Sequence, residues 1–286
     1  MHRPVLLSLI LAAVVLGSTA GAATRTIVIR ASGLSDKDIT ITQGDTVTWR
    51  NDDTANHQIV SVSGVFSSPV LRTGGKYSYT FNNAGTFRYH DALDNRDRFK
   101  GVVRVRLAPS VSLTASLPQV VYGTKITLNG QINTKASGQQ VQILYQPFGQ
   151  PSPIVLATVV TGTDGVFGFE AKPTILTSYQ AKWGNVTSAS TSVQVAPRVT
   201  LGRSGRWVSC VFAARSMAGK KVLVQRHTRF GDWVSIKAVK LGARSCAHFR
   251  LRLPKGVYRL RVKMSINQAG AGYLAGLSRE VTWRHT

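Results

Sequence analysis

The sequence predicts an all-β protein built from small sandwiches, and three observations carry that reading. Beyond residue 22 nearly every apolar stretch is short and alternating, as in Thr26-Ile-Val-Ile-Arg30, Asp45-Thr-Val-Thr-Trp49 and Lys76-Tyr-Ser-Tyr-Thr-Phe81. Clusters of Gly, Asn, Asp and Pro separate these runs, and no helical stretch of ten residues follows Gly21. Period 2 sends successive side chains to opposite faces of a strand, so each run reads as a strand with one buried and one wet face.

The first element is different. Met1 to Pro4 carries one charge, Arg3, and Val5 to Gly17 is apolar except for Ser8. Ala20-Gly21-Ala22 then supplies a small-residue cleavage pattern, so residues 1–22 read as a signal peptide. Thirteen apolar residues at about 1.5 Å each fall short of a hydrocarbon core of roughly 30 Å, which argues against an uncleaved anchor. No later apolar run reaches the length of a membrane span. The mature protein is therefore expected to be secreted, without a transmembrane segment, in an oxidising compartment where Cys210 and Cys246 can pair. With 286 residues, 43% hydrophobic, it is long enough for two or three cores, and two cysteines exclude a Cys-rich zinc module.

Module boundaries come from an internal repeat. Ala108-Pro109-Ser110-Val111-Ser112-Leu113 recurs as Ala196-Pro197-Arg198-Val199-Thr200-Leu201, and Gly138, Val141 and Pro173 match Gly219, Val222 and Pro254. Proline cannot donate to a ladder, so each Ala-Pro marks a strand end and a new start. The expected modules are 23–107, 108–196 and 197–286, the last two being divergent copies of one sandwich. Charge is shared unevenly among them: 12 Lys+Arg against 8 Asp+Glu, then 4 against 2, then 19 against 2. Most of the net charge of +24 therefore belongs to the last module.

From Ile39 to Arg106 the matching segments are Ile41-Thr-Gln-Gly-Asp-Thr-Val-Thr-Trp49 with Asn51, then His57, then Gly74-Gly75-Lys-Tyr-Ser-Tyr-Thr-Phe81. Ala84-Gly-Thr-Phe-Arg-Tyr-His-Asp91 and Gly101-Val-Val-Arg-Val105 complete the set. Together they resemble the cupredoxin family, the Greek-key β-sandwiches typified by plastocyanin. The resemblance implies a copper site in which one His joins Cys, His and Met, because a thiolate, two imidazoles and a weak axial thioether suit both oxidation states. Here His57 matches the first ligand, while the Cys position falls on Asp91, the second His on Asp94 and the Met on Phe99. Without a thiolate a blue copper centre is not expected. Two readings remain: His57, Asp91 and Asp94 hold Cu(II) or Zn(II), or the loop 91–98 is tied by its own Asp and Arg side chains around a vestigial site. His90 should face the opposite side of its sheet.

The second module, with Gly123-Thr-Lys-Ile-Thr-Leu-Asn-Gly130 and Thr163-Asp-Gly-Val-Phe-Gly-Phe169, resembles the immunoglobulin-like domains of bacterial surface and secreted proteins. Asp164-Gly165 reads as a hairpin turn between strands. The module holds no His or Cys, which leaves spacer or adhesion work. The third module keeps the sandwich pattern and adds Cys210 and Cys246, expected as a structural disulfide. Gln268 to Gly276 reads as a flexible bulged hairpin rather than a phosphate loop, lacking Lys-Ser/Thr and the flanking elements. Arg250-Leu-Arg252-Leu253 and Arg259-Leu-Arg261-Val-Lys263 are expected to be strands whose five cations share one solvent face. Such a face has two readings: it binds anionic polymers of the cell envelope, or it serves solubility alone. No recognition helix or zinc finger supports sequence-specific nucleic-acid binding. Six scattered His and two Glu offer no acid–base or nucleophilic cluster, so the expected function is non-enzymatic: envelope or extracellular binding, with metal-binding accessory work through His57 as the alternative.

Overall fold

Alternation in the sequence becomes alternation in burial. In the computed structural model, which describes residues 22–286, the strand Thr46–Asn51 buries Val47, Trp49 and Asn51 and leaves the residues between them half-exposed. All of the expected signal peptide except Ala22 lies outside the described residues. The architecture is all-β, and its sheets pack as sandwiches.

The first unit, to Ser110, contains β1 (Thr24–Arg30), β2 (Gly33–Leu34), β3 (Asp38–Thr42), β4 (Thr46–Asn51), β5 (Ile59–Ser61), β6 (Lys76–Thr80), β7 (Gly85–Asp91) and β8 (Gly101–Arg106). They form two four-stranded sheets, ordered β2-β1-β4-β6 and β3-β8-β7-β5. The pairs β1/β4 and β3/β8 are parallel, so the chain crosses between sheets instead of meandering. The core centres on Trp49, whose ring lies 5.3 Å from Phe66 and 5.2 Å from Tyr89. Burial pushes the Tyr89 phenol up to about 12.

The second unit runs from Val111 to Thr286. Its first sandwich pairs β9 (Val111–Ala115), β11 (Ile126–Ile132) and β14 (Val166–Ala171) in one sheet. The other sheet has β10 (Gln119–Val121), β12 (Gln140–Pro147), β13 (Ile154–Val160), β15 (Thr177–Trp183), β16 (Val186–Thr187) and β17 (Thr191–Ala196). The second sandwich repeats the plan with β18 (Arg198–Ser204), β19 (Arg206–Phe212) and β22 (Cys246–Phe249) facing β20 (Lys221–His227), β21 (Trp233–Lys240), β23 (Gly256–Met264), β24 (Gly276–Leu277) and β25 (Val281–His285). Even the irregularity recurs: pairing slips between Ile143 and Leu144 in β12, and between Val224 and Gln225 in β20. The repeat seen in the sequence is thus a repeat of strand order, with β10 as an addition.

Three local expectations change. Asp164 and Gly165 do form a tight turn, both with positive φ, but β13 and β14 belong to different sheets, so the turn crosses the sandwich and closes no hairpin. The segment from Gln268 to Gly276 is pinned, not a free hairpin: a short helix, α1 (Ile266–Ala269), leads into buried Tyr273. Leu176 N–H donates to Gly272 C=O at 2.9 Å and Leu274 N–H to Val195 C=O at 2.9 Å, tying the two sandwiches together. Gly272 is required there, since its φ is +82° and a Cβ would sit 2.8 Å from Ile175 and 2.9 Å from Phe148. Finally, the strand expected at 250–253 is absent; β22 stops at Phe249, and Pro254, which has no N–H to give a ladder, closes the segment.

Candidate functional site

In the first unit, the ends of β4, β5 and β7 and the loop after β7 converge on His57, which is 1% exposed. Its backbone exchanges hydrogen bonds with Leu71, 3.1 Å and 2.7 Å, and fixes the ring inside the sandwich. Asn51, fully buried at the end of β4, donates to the carbonyls of Ala55 and Leu71 and accepts from Asp53 N–H, each at 2.8 Å, which shapes the chain leading to His57.

The imidazole is held from both sides. Nδ1 lies 2.5 Å from Asp91 Oδ2 and Nε2 lies 3.1 Å from Asp53 Oδ2. Asp91, fully buried, uses its other oxygen to accept from Gln58 N–H at 2.8 Å and Leu93 N–H at 3.0 Å. Its carboxylate therefore has three partners, which is what a buried charge requires. The hydrogen bond from His57 holds the Asp53 carboxyl below the ordinary carboxylate value. Phe99 closes the set, its ring centroid 4.8 Å from that of His57, and Arg98 covers the outer side of Phe99 at 4.9 Å.

Sequence reasoning grouped His57 with Asp91 and Asp94, and the structure brings only the first two together. Asp94 turns to Arg96, which donates from Nε and Nη2, and to Arg98 at 3.9 Å. Those bonds push its carboxyl down to about 2. Asp53 takes the remaining place; its signal was the Asp53-x-x-x-His57 spacing beside Asn51. His90 lies on the other side of β7, where it lines a shallow cleft of about 480 Å³ with Lys37, Arg88 and Lys100.

These residues do not fit a cupredoxin copper ion. Both ring nitrogens of His57 face carboxylate oxygens, so neither has a lone pair directed into open space. The 2.5 Å between Nδ1 and Asp91 Oδ2 is a hydrogen-bond distance, whereas two donors held about 2 Å from one metal stand farther apart. Phe99, at the position where the resemblance would place the Met ligand, offers no donor atom. Among the described residues no three His, Cys, Asp or Glu side chains gather as a metal would need.

In the last sandwich Cys210 and Cys246 form a disulfide across directly opposed positions of β19 and β22, with Cα atoms 4.0 Å apart. The five expected cations do not share a face. Arg250 and Arg252 follow β22, in the sheet of β18 and β19, while Arg259, Arg261 and Lys263 lie on β23 in the opposite sheet. Strand register assembles a different set. Lys221 faces Lys240, Leu223 faces Lys263, Gln225 faces Arg261 and Val257 faces Arg284. Alternation puts Lys221, Lys240, Arg259, Arg261, Lys263 and Arg284 on the side away from buried Val222, Val224, Leu260 and Val262. Arg261 is fixed by its Nε–H donating to Gln225 Oε1 at 2.9 Å and by stacking 4.1 Å above Trp233. Arg259 is neutralised by Glu280 at 2.5 Å. Lys221, Lys240 and Arg284 were missed because cross-strand register is not written in any one strand.

No family model matches the chain. Among curated proteins it is similar to amicyanin of Paracoccus denitrificans, 40% identical over 52 residues, which span 16% of this chain and 40% of that protein. The chain thus covers less than half the length of that relative. Among solved structures it is similar to a purple cupredoxin from Nitrosopumilus maritimus, 32% identical over 28% of this chain and 98% of that one, with a TM-score of 0.26. A copper(I) form of an amicyanin variant is 28% identical over 29% of this chain and 83% of that one, with a TM-score of 0.28. Two four-stranded sheets and the 40% identity to amicyanin lead to one assignment: about 30% of the chain, at its N-terminal end, is a cupredoxin-like domain, closed around an Asp53–His57–Asp91 hydrogen-bonded set.

Proposed function

We propose that this is a secreted, non-enzymatic protein of the cell envelope or its surroundings, which binds anionic polymers through the outer face of the β20–β23–β25 sheet. The cupredoxin-like domain serves it as a scaffold without redox chemistry, and the repeated sandwiches, similar in pattern to immunoglobulin-like domains, carry the binding face. The observation that carries this reading is the Lys221/Lys240 pair. Like charges directly opposite on a sheet face destabilise it, so a face that sets two lysines opposite each other, with Lys263 and Arg284 on the same side, is better suited to a bound anion than to folding alone. Export is supported by the pattern of residues 1–22, and among the described residues no helix is long and apolar enough to cross a membrane.

The test uses the full chain and a soluble phosphodiester wall polymer. Binding should weaken steeply as salt rises, because each phosphate contact releases counterions. Lys221→Glu, Lys263→Glu and Arg284→Glu together should abolish it, while Arg250→Glu with Arg252→Glu, in the segment that follows β22, should leave most of it. No binding at low salt, or equal loss in both variants, overturns the assignment.

A further inference from the structure

On the outer face of the last sandwich one guanidinium is held in place without being neutralised. Arg261 Nε–H donates to Gln225 Oε1 at 2.9 Å, and the guanidinium carbon lies 4.1 Å above the Trp233 ring. Gln225 is only 7% exposed and its amide nitrogen reaches Ser235 Oγ at 3.4 Å, so the acceptor is itself oriented. The indole is held in turn, with the His227 ring centroid 5.0 Å from its own and steeply inclined to it. Register gathers these groups: Gln225 faces Ser235 on β21 and Arg261 on β23, and His227 faces Trp233. Neither Nη of Arg261 meets an acceptor among the described residues, whereas Arg259, two positions earlier, is taken by Glu280.

The other repeated sandwich shows that the fold does not need this set. Its β12 has the same slip in register, after which Leu144 faces Val155 on one side and Gln180 on the other. Those are the register positions of Gln225, Ser235 and Arg261. Two positions before Val155 stands Pro153, where the last sandwich has Trp233. The same architecture therefore closes with no arginine and no indole at these places, and with a leucine where Gln225 holds the fork. Keeping an arginine still sacrifices rotamer freedom, which a merely solubilising charge has no reason to give up.

We propose that Arg261 is an anion-recognition fork: its two Nη groups bind one oxyanion bidentately, through two oxygens on the same phosphorus or carbon. Gln225 and Trp233 are its positioning residues. The planar guanidinium matches two such oxygens, and a fork already held in place loses less freedom on binding than a loose one. The ligand class is a singly charged oxyanion with two equivalent oxygens, a phosphodiester or a carboxylate; taking it to be a unit of an anionic polymer rests on the function proposed above. The lysines of the face attract such a polymer through their field, and the fork selects the group that docks.

The test follows the Trp233 indole N–H resonance of the full chain by NMR, with dimethyl phosphate and, separately, acetate as probes. A saturable shift with a midpoint of about 1–10 mM is expected for at least one, and the tighter probe names the source. Arg261→Lys keeps the charge but not the fork and should weaken that binding about tenfold or more. Gln225→Leu installs the residue that the other sandwich carries at this register position and leaves every charge in place; it should weaken binding about threefold or more. The other indole signals report that each variant is folded, and Gln225→Leu carries the test by itself if Arg261→Lys disturbs the sheet. A field alone would leave both folded variants at wild-type affinity. No saturable shift with either probe, or wild-type affinity in either folded variant, overturns the proposal. Polymer binding that persists in that case leaves the polymer reading standing, whereas a probe-dependent shift in a chain that binds no polymer keeps the fork and removes that reading.

Discussion

At the scale of single residues, the His57 set includes two positions, His57 and Asp91, at which the resemblance to cupredoxins implies copper ligands. A copper ion joins loops by coordination; here the imidazole joins Asp53 and Asp91 by hydrogen bonds, and Phe99 fills the remaining space. His57→Ala removes one partner of a buried, ionisable pair and leaves Asp91 with an unsatisfied oxygen. The expected cost is about 3 kcal/mol in chemical denaturation of the N-terminal domain. Titration with Cu(II) should produce no intense visible charge-transfer band, since no thiolate is present in that domain; a strong blue or purple colour would contradict the geometry. Asp94 gives a pH test. Its carboxyl is held near 2, below the ordinary 3.8, first by the hydrogen bond from Arg96. A folded value below the unfolded one means the contribution is present above about 3.8 and is lost as pH falls towards about 2. The stability difference between wild type and Asp94→Asn should therefore stay constant from neutral pH to about 4 and shrink below it; a difference that persists at pH 2 would show that the ion pair is not its source.

At the scale of elements, two covalent or conformational constraints shape the last sandwich. The Cys210–Cys246 bond spans 36 positions and joins opposed strands of the β18–β19–β22 sheet. Chain-entropy reasoning gives about 4 kcal/mol for a loop of that length, so reduction should lower the melting temperature of the C-terminal unit and leave the cysteine-free N-terminal domain unchanged. Mass spectrometry should find one cross-linked peptide and no free thiol. The segment after α1 is the other constraint. Gly272→Val would force a branched side chain into a positive-φ position already crowded by Ile175 and Phe148. A loss of about 2–3 kcal/mol is expected, together with a split between the melting of the two repeated sandwiches, which in the wild type should unfold as one.

At the scale of the whole molecule, the two repeats share a continuous set of buried apolar residues, from Val111 to Trp283, while the cupredoxin-like domain has its own around Trp49. Differential calorimetry should accordingly show two transitions rather than three, since cooperativity follows shared core and not sequence repeats. The all-β class, the sandwich pattern and the match of residues 39–106 to cupredoxins were legible because alternation is local and motif residues are contiguous. The likeness of the repeated modules was legible for the same reason, down to Ala108-Pro109 and Ala196-Pro197. The partner of a side chain was less so. His57 and Asp91 could be paired through family positions, but Asp53 could not be preferred over Asp94 without knowing which loop turns inward and which carboxylate an arginine captures first.

What the sequence determined by itself is therefore what one strand can express: which positions are buried, where a strand must stop, which charges a module carries, and that no thiolate waits at the copper position. The grouping of Arg250 and Arg252 with Arg259, Arg261 and Lys263 failed because it assumed a strand and a sheet that only packing assigns. Tertiary structure alone decided that Lys221, Lys240 and Arg284 join that face, that Gly272 locks two sandwiches together, and that Asp53 completes the His57 set. The physical reason is that alternation gives each residue a side of its own strand, whereas a face, a core or a site exists only once the register between strands separated in sequence is set.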